Sequence, residues 1–271
     1  MPTCRSRAWA RAVAALLAAL TVWVWAWVWS GAAPARAAEL PGIQGPDDRR
    51  PVIAGGPQAG ADYPWPWRAI GRVNRNTGGF CTGTLIAPDL VLTAGHCLES
   101  GRVGQLPPES LHFVAAYRFG DYDAHGRIAA IHRPVADGPR GDFALLRLTE
   151  ALDIRPLPLT APPADPTPIA VHARVLLAGY SQDRPHLLAI DDACFMLGLR
   201  TDALWRHDCD GPKGSSGGPI LVGAEEGGAP RVAGISIGFA AGGPHPRGVM
   251  VPTPVIRAFL DKRGLAVAVP E

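Results

Sequence analysis

From residue 69 onward the chain breaks into short apolar runs set apart by clusters of Gly, Pro and Asp. The runs are Ala69–Val73, Thr84–Ile86, Leu90–Leu92, Leu111–Ala116, Ile128–Ile131, Ala144–Leu148, Ala170–Leu177, Ile220–Val222, Val232–Ile237 and Val249–Val251. Runs of this length bounded by turn formers predict strands, and many of them at even spacing predict an all-β barrel or sandwich. One stretch departs from the pattern. Residues Pro252 to Leu260 read as a helix, with Thr253 as its cap, Pro254 in its first turn and Gly264 just past its end.

The N-terminus has a different character. Arg5, Arg7 and Arg11 precede an apolar stretch from Ala12 to about Trp29, and Ala35-Arg36-Ala37 follows as a small-x-small site. This is the pattern of a secretory signal, with cleavage expected after Ala37 or Ala38. The stretch also approaches the ~20 residues of a membrane span, so an uncleaved anchor is the alternative, and only then would a membrane be a partner. Residues 39–51, polar and rich in proline and glycine, read as a pro-segment or flexible lead.

Removing the signal changes the charge. The whole chain carries 26 bases against 24 acids; without Arg5, Arg7, Arg11 and Arg36 the bases fall to 22 and the formal charge to about −2. No basic run with interleaved aromatics remains, which argues against a nucleic-acid partner. Cys4 leaves with the signal, and Cys81, Cys97, Cys194 and Cys209 form an even set suited to an oxidising compartment. Four cysteines allow three pairings. A zinc site of Cys194, His207 and Cys209 is the alternative use, although no paired CxxC spacing supports it and no metal or other cofactor is expected. The remaining histidines (112, 125, 132, 172, 186 and 245) show no ligand spacing.

The chemistry concentrates in three blocks: Leu92-Thr93-Ala94-Gly95-His96-Cys97, Arg140-Gly141-Asp142-Phe143-Ala144-Leu145-Leu146 and Gly214-Ser215-Ser216-Gly217-Gly218-Pro219. A serine hydroxyl needs an adjacent base to attack a carbonyl at neutral pH. Imidazole titrates close enough to that pH to serve, and a carboxylate can hold its tautomer and stabilise the imidazolium. In this order the blocks resemble the catalytic blocks of chymotrypsin-like (trypsin-like) serine proteases, over roughly residues 52–262. The resemblance implies an exported serine endopeptidase with His96, Asp142 and Ser216 as the catalytic triad. It also implies an oxyanion hole from the N–H groups of Gly214 and Ser216, and a protein or peptide as substrate.

The resemblance implies a fold as well: two six-stranded antiparallel Greek-key β-barrels, the active site in the cleft between them, and a short C-terminal helix. The N-terminal barrel would span 52–160, carrying His96 and Asp142. The C-terminal barrel and helix would span 161–271, carrying Ser216, with the proline-rich stretch from Leu157 to Pro168 as the crossing. Cys81–Cys97 matches the family's histidine-loop disulfide, leaving Cys194 with Cys209. A monomer is expected.

The chain also departs from the family pattern. Activatable members carry an aspartate before the catalytic serine, which pairs with a new N-terminal ammonium after cleavage. Ser215 stands there and carries no charge, and Pro51 follows Arg50, although Val52-Ile53-Ala54-Gly55-Gly56 resembles the family's start. In this respect the serine block resembles bacterial members, including glutamyl endopeptidases. Counting back from Ser216 places Asp210 at the base of the specificity pocket, but Pro212 replaces the cysteine expected in that loop. Lys213 would then line the cleft and favour an acidic residue. Gly234-Ile235-Ser236-Ile237-Gly238 resembles the wall that pairs with substrate, with Ser236 against Asp142 and Gly238 at the pocket entrance; Gly248 lies in the opposite wall. The competing reading is a protease-fold binding or regulatory protein with little turnover.

Overall fold

The computed structural model describes residues 40–53, 62–101, 103–134, 138–161, 170–200, 202–223, 229–240 and 247–267. The expected signal segment lies outside them, and among the described residues no helix is long and apolar enough to cross a membrane.

The described strands, in chain order, are β1 (Arg50–Pro51), β2 (Ile70–Arg75), β3 (Phe80–Ala87), β4 (Leu90–Thr93), β5 (Glu99–Ser100), β6 (Gly104–Gln105), β7 (Leu111–Ala115), β8 (Ala124–His132), β9 (Ala144–Leu148), β10 (Arg174–Ser181), β11 (Arg184–Leu199), β12 (Trp205–His207), β13 (Pro219–Val222), β14 (Arg231–Ala240) and β15 (Arg247–Pro252). A helix, α1 (Thr253–Arg263), follows. Strands β2, β3, β4, β9, β8 and β7 close the first barrel in that order. The second runs β11, β10, β13, β14, β15, β12, and closes because β12 pairs with β11 as well as with β15. All of these pairings are antiparallel. Two six-stranded barrels and one terminal helix are therefore the architecture.

The barrels are built where apolar side chains can fill them. Every residue of β3 and β4 is buried. Leu85, Leu90, Leu92, Phe113, Leu145 and Leu146 of the first barrel's strands are fully buried. Each such side chain contributes about 1.5–3 kcal/mol by leaving water. The crossing touches both halves: Leu157 donates its N–H to Leu85 O at 2.9 Å, and Thr160 donates to Val232 O at 2.9 Å. The expected boundary at residue 160 falls in this segment, while residues 162–169 lie outside the described chain.

Two expectations shift. The run from Ala170 starts late as a strand, because residues 171–172 turn and His172 takes a φ of 64° before β10 begins at Arg174. Thr253 does not cap α1. It is inside the first turn, and its hydroxyl donates to Val232 O at 2.7 Å, tying the helix to β14. Gly264 ends the helix in the left-handed conformation (φ 62°) and donates its N–H to Asp261 O.

The segment expected as a pro-segment or flexible lead packs, over residues 40–51, against the second barrel. Its β1 adds to the free edge of β11, Arg50 opposite Ile190 and Pro51 opposite Ala189. Strand β11 itself, 16 residues long, escaped the apolar pattern because Asp191 and Asp192 interrupt it. Asp191 is buried, and its carboxylate accepts the N–H of Asp210 at 2.7 Å and of Ala193 at 3.0 Å.

The second barrel also encloses His207, fully buried on β12. Its Nδ1 accepts the N–H of Cys209 at 3.2 Å, and among the described residues its Nε2 has no hydrogen-bond partner. The ring fills the space beside Gly248, where a Cβ would come within 2.2 Å of it. Burial pushes the His207 pKa down to about 4. The unfolded chain therefore takes up this proton first, so the group's contribution to stability is present above ~6.5 and is lost as pH falls toward the folded value. Wild-type protein should lose about 2 kcal/mol from this group between about pH 7 and about pH 5. Denaturant unfolding at both values should show a correspondingly shallower loss in His207→Gln; identical losses in the two proteins would contradict the assignment.

Candidate active site

The three sequence blocks lie on loops that leave adjacent elements. Strand β4 pairs with β9, Thr93 opposite Ala144, so the turn after β4 and the turn before β9 emerge side by side. The first is a 3-10 turn, Gly95–Leu98, holding His96; the second is a 3-10 turn, Gly138–Gly141, that delivers Asp142. The disulfide Cys81–Cys97 fastens the histidine turn to β3, and Cys194–Cys209 joins β11 to the loop after β12. The first is the bridge the resemblance implied, and the second is the pair it left over. The second leaves no thiolate for a zinc site with His207.

Asp142 grips the histidine at two points. One oxygen accepts the His96 backbone N–H at 2.7 Å, and the other lies 2.8 Å from Nδ1. Burial pushes the Asp142 carboxyl up, but its hydrogen bonds to His96 and the charges of His96 and Arg133 outweigh that effect and hold it below the usual carboxylate range. With Asp142 on Nδ1, Nε2 is the ring nitrogen left without a hydrogen bond among the described residues, and the His96 side chain is 42% exposed.

The serine loop is pinned from both barrels. Within it, Ser215 donates its N–H to Pro212 O at 3.0 Å and Gly218 donates to Ser215 O at 2.8 Å. Gly217 donates to Ser236 O at 2.7 Å, tying the loop to β14. From the first barrel, Thr82 donates its N–H to Ser216 O at 2.9 Å and its hydroxyl to Gly214 O at 3.0 Å. That hydroxyl in turn accepts the N–H of Tyr180 at 2.9 Å. Gly217 must be glycine: with φ 81°, a Cβ would sit 2.3 Å from Thr82 O. Gly214 has φ 105°, and a Cβ would meet Phe80 and Tyr180 O at 3.0 Å.

This geometry leaves two amides aside. The N–H groups of Ser215, Gly217 and Gly218 are engaged. Among the described residues, those of Gly214 and Ser216 donate to no backbone or side-chain acceptor. Ser216 is half-buried, and its carbonyl oxygen lies 3.9 Å from Cys97 Sγ, next to His96. Among the described residues no hydrogen bond joins Ser216 Oγ to His96, a contact that often tightens only when substrate binds.

The expected specificity residues fare unevenly. Asp210 is only 4% exposed, and its carboxylate serves the lead rather than the cleft. It accepts the N–H of Gln44 at 2.6 Å and of Asp48 at 3.2 Å. Gln44 also donates its amide to Cys209 O at 3.3 Å and accepts from Arg247 at 3.4 Å. Gly211 donates its N–H to Gly42 O at 2.9 Å, completing a small brace over the pocket loop. Lys213 is exposed beside Gly214. Ser236 is buried in β14, where it pairs with the serine loop through its backbone, and among the described residues it makes no hydrogen bond to Asp142. Gly238 lies at an irregularity of the β14–β15 pairing, and Gly248 lies opposite Phe239 and against His207. Thr82 and the packing of the lead against the pocket loop were not foreseen from sequence. Thr82 sits in an ordinary strand pattern beside Cys81, and nothing local marks it.

Comparison with known proteins agrees with this construction. A family model described as a trypsin-like peptidase domain matches residues 81–227, from the histidine-loop cysteine past the serine loop. Human chymotrypsin-like elastase family member 3B is 42% identical over 67 residues, which is 23% of this chain and 24% of the elastase. The chain thus spans about a quarter of that relative's length. A Glu endopeptidase structure, solved in complex with MPD, superposes with a TM-score of 0.62 at 17% identity, covering 83% of this chain and all of the other. That similarity carries the fold alone. With the family model matching more than half of its length, the chain belongs to the trypsin-like peptidases.

Proposed function

We propose that the chain is an exported serine endopeptidase that cleaves peptide bonds through an acyl-enzyme on Ser216. The observation that carries this reading is the two-point grip of Asp142 on His96 beside a serine loop with two unengaged amides. Ser216 Oγ attacks the scissile carbonyl while His96 Nε2 takes its proton. Asp142 keeps the other ring nitrogen protonated and stabilises the imidazolium. The carbonyl oxygen, now negative, receives hydrogen bonds from the N–H groups of Gly214 and Ser216, which are already oriented and need no reorganisation. The intermediate collapses as the C–N bond breaks and His96 returns the proton to the leaving amine. Water repeats the sequence on the acyl-enzyme and regenerates Ser216.

Two disulfides suit an oxidising compartment and support export. The strand Ser236–Gly238 and the facing Gly248 are the proposed walls for an extended substrate. Asp210, occupied by the lead's amides, does not serve as a receptor for a basic side chain in this reading.

A fluorophosphonate probe should label the signal-processed protein at Ser216. Labelling and turnover should vanish in Ser216→Ala and persist in Ser215→Ala, with only the ~10³–10⁴-fold residual catalysis over water left when a triad member is lost. Equal labelling of Ser216→Ala would refute the nucleophile.

A further inference from the structure

The lead carries one guanidinium into the second barrel. Arg49 is 7% exposed, and all of its nitrogens are engaged. Nε and Nη2 donate to Asp47, each at 2.9 Å. Nη1 and Nη2 donate to Asp183 at 3.2 and 2.7 Å, and Nη1 also donates to Ser181 Oγ at 2.9 Å. Arg184 closes the group, donating to Asp47 at 2.6 Å and to Arg49 O at 2.8 Å. Exposed ion pairs of this kind contribute little, but a buried, forked arginine with paired carboxylates fixes geometry, and removing it strands buried charge. Burial pushes Asp183 up, yet its bonds to Arg49 and Ser181 bring it down to about 2.

What Arg49 holds is the turn between β10 and β11, and that turn touches the serine loop directly. Gln182 donates its N–H to Lys213 O at 2.8 Å, the carbonyl of the same peptide unit that carries the Gly214 N–H. Tyr180 O and Ser181 Cα lie 3.0 and 3.1 Å from where a Gly214 Cβ would be. A chain of short contacts therefore runs from Arg49 through Asp183 and Ser181 to Gln182, Lys213 and Gly214.

We propose that Arg49 is a positioning residue for the oxyanion loop: a cation carried within the lead segment holds the 181–184 turn against Lys213 and so aims the Gly214 amide. The inference rests on the serine-peptidase reading above. Ser215 has no charge with which to recruit a new N-terminal ammonium, and Arg49 supplies a buried cation from inside the chain instead. The protein then works with residues 40–51 attached. Cutting after Arg49 or Arg50 detaches the guanidinium from the barrel and lowers turnover rather than releasing it.

The test uses signal-processed full-length protein and its Arg49→Met, Arg49→Lys and Asp183→Asn variants, with active sites counted by fluorophosphonate. Turnover of a peptide amide and inhibition by a peptidyl trifluoromethyl ketone, which forms a tetrahedral adduct on a catalytic serine, are read well below each variant's unfolding temperature. In Arg49→Met, kcat per titrated site should fall about tenfold to a hundredfold, less than the ~10²–10³ of losing an oxyanion donor outright. KM should stay within about threefold, because the lost interaction acts in the transition state. Ketone affinity should weaken by the same factor as kcat, Asp183→Asn should follow in the same direction, and Arg49→Lys should recover part of the loss. Should Arg49→Met fail to fold, the Asp183→Asn and Arg49→Lys results decide alone. Lowered thermal stability with unchanged kcat and ketone affinity per site would overturn the proposal, reducing Arg49 to a structural brace. Wild-type protein that neither labels nor turns over substrate would overturn the parent reading, and this one with it.

Discussion

The site depends on one threonine at the seam between the barrels. Thr82 belongs to β3 of the first barrel, yet its N–H and its hydroxyl both act on the second, while its carbonyl is held within the first. Its N–H holds Ser216 O, its hydroxyl holds Gly214 O and accepts from Tyr180, and its carbonyl accepts from Thr93 at 2.7 Å. The residue before it, Cys81, is bonded to Cys97 beside His96. One short piece of β3 therefore anchors both the His96 turn and the Ser216 loop. The N–H groups of Gly214 and Ser216 share their peptide planes with the carbonyls of Lys213 and Ser215, which accept from Gln182 and Gly218, while Thr82 holds the next carbonyl after each of them, Gly214 O and Ser216 O. A buried amide or carbonyl left without its partner would cost about 1–3 kcal/mol, so each of these bonds resists loss.

The second barrel meets that constraint with charge. Residues 40–51 lie along β11 and the pocket loop, with Asp210 accepting two of the lead's amides. Asp210 and Asp191, neighbours in this wall, are both pushed upward by burial, whereas the Arg49 cluster pulls Asp183 downward. The acids of this wall thus serve the protein's own backbone and arginines. Under the proposed reading, the acid at the pocket position is therefore taken up by the lead.

Much of this was legible in the chain, and the remainder was hidden for physical reasons. Short apolar runs between turn formers marked the strands, and the three blocks brought His96, Asp142 and Ser216 together in order. The Cys81–Cys97 bridge followed from the family likeness, and Cys194–Cys209 was the pair left over. Strand β11 was invisible because Asp191 and Asp192 break its apolar pattern, and only tertiary bonds from Asp210 and Ala193 make a buried aspartate tolerable there. Thr253 looked like a helix cap, but a carbonyl on β14 claimed its hydroxyl. The lead looked flexible because its composition is polar; its order comes from partners more than 130 residues away, which no local pattern carries.

The central claim is that the Thr82 hydroxyl, by holding Gly214 O and the Tyr180 amide, sets the oxyanion loop. It is tested most directly by comparing kcat per titrated active site in Thr82→Val and Thr82→Ser. Valine keeps the shape and removes the hydroxyl; serine keeps the hydroxyl. The account predicts a kcat loss of about tenfold to a hundredfold in Thr82→Val, approaching the loss of one oxyanion donor, with Thr82→Ser close to wild type. Folded Thr82→Val protein turning over at the wild-type rate would contradict it.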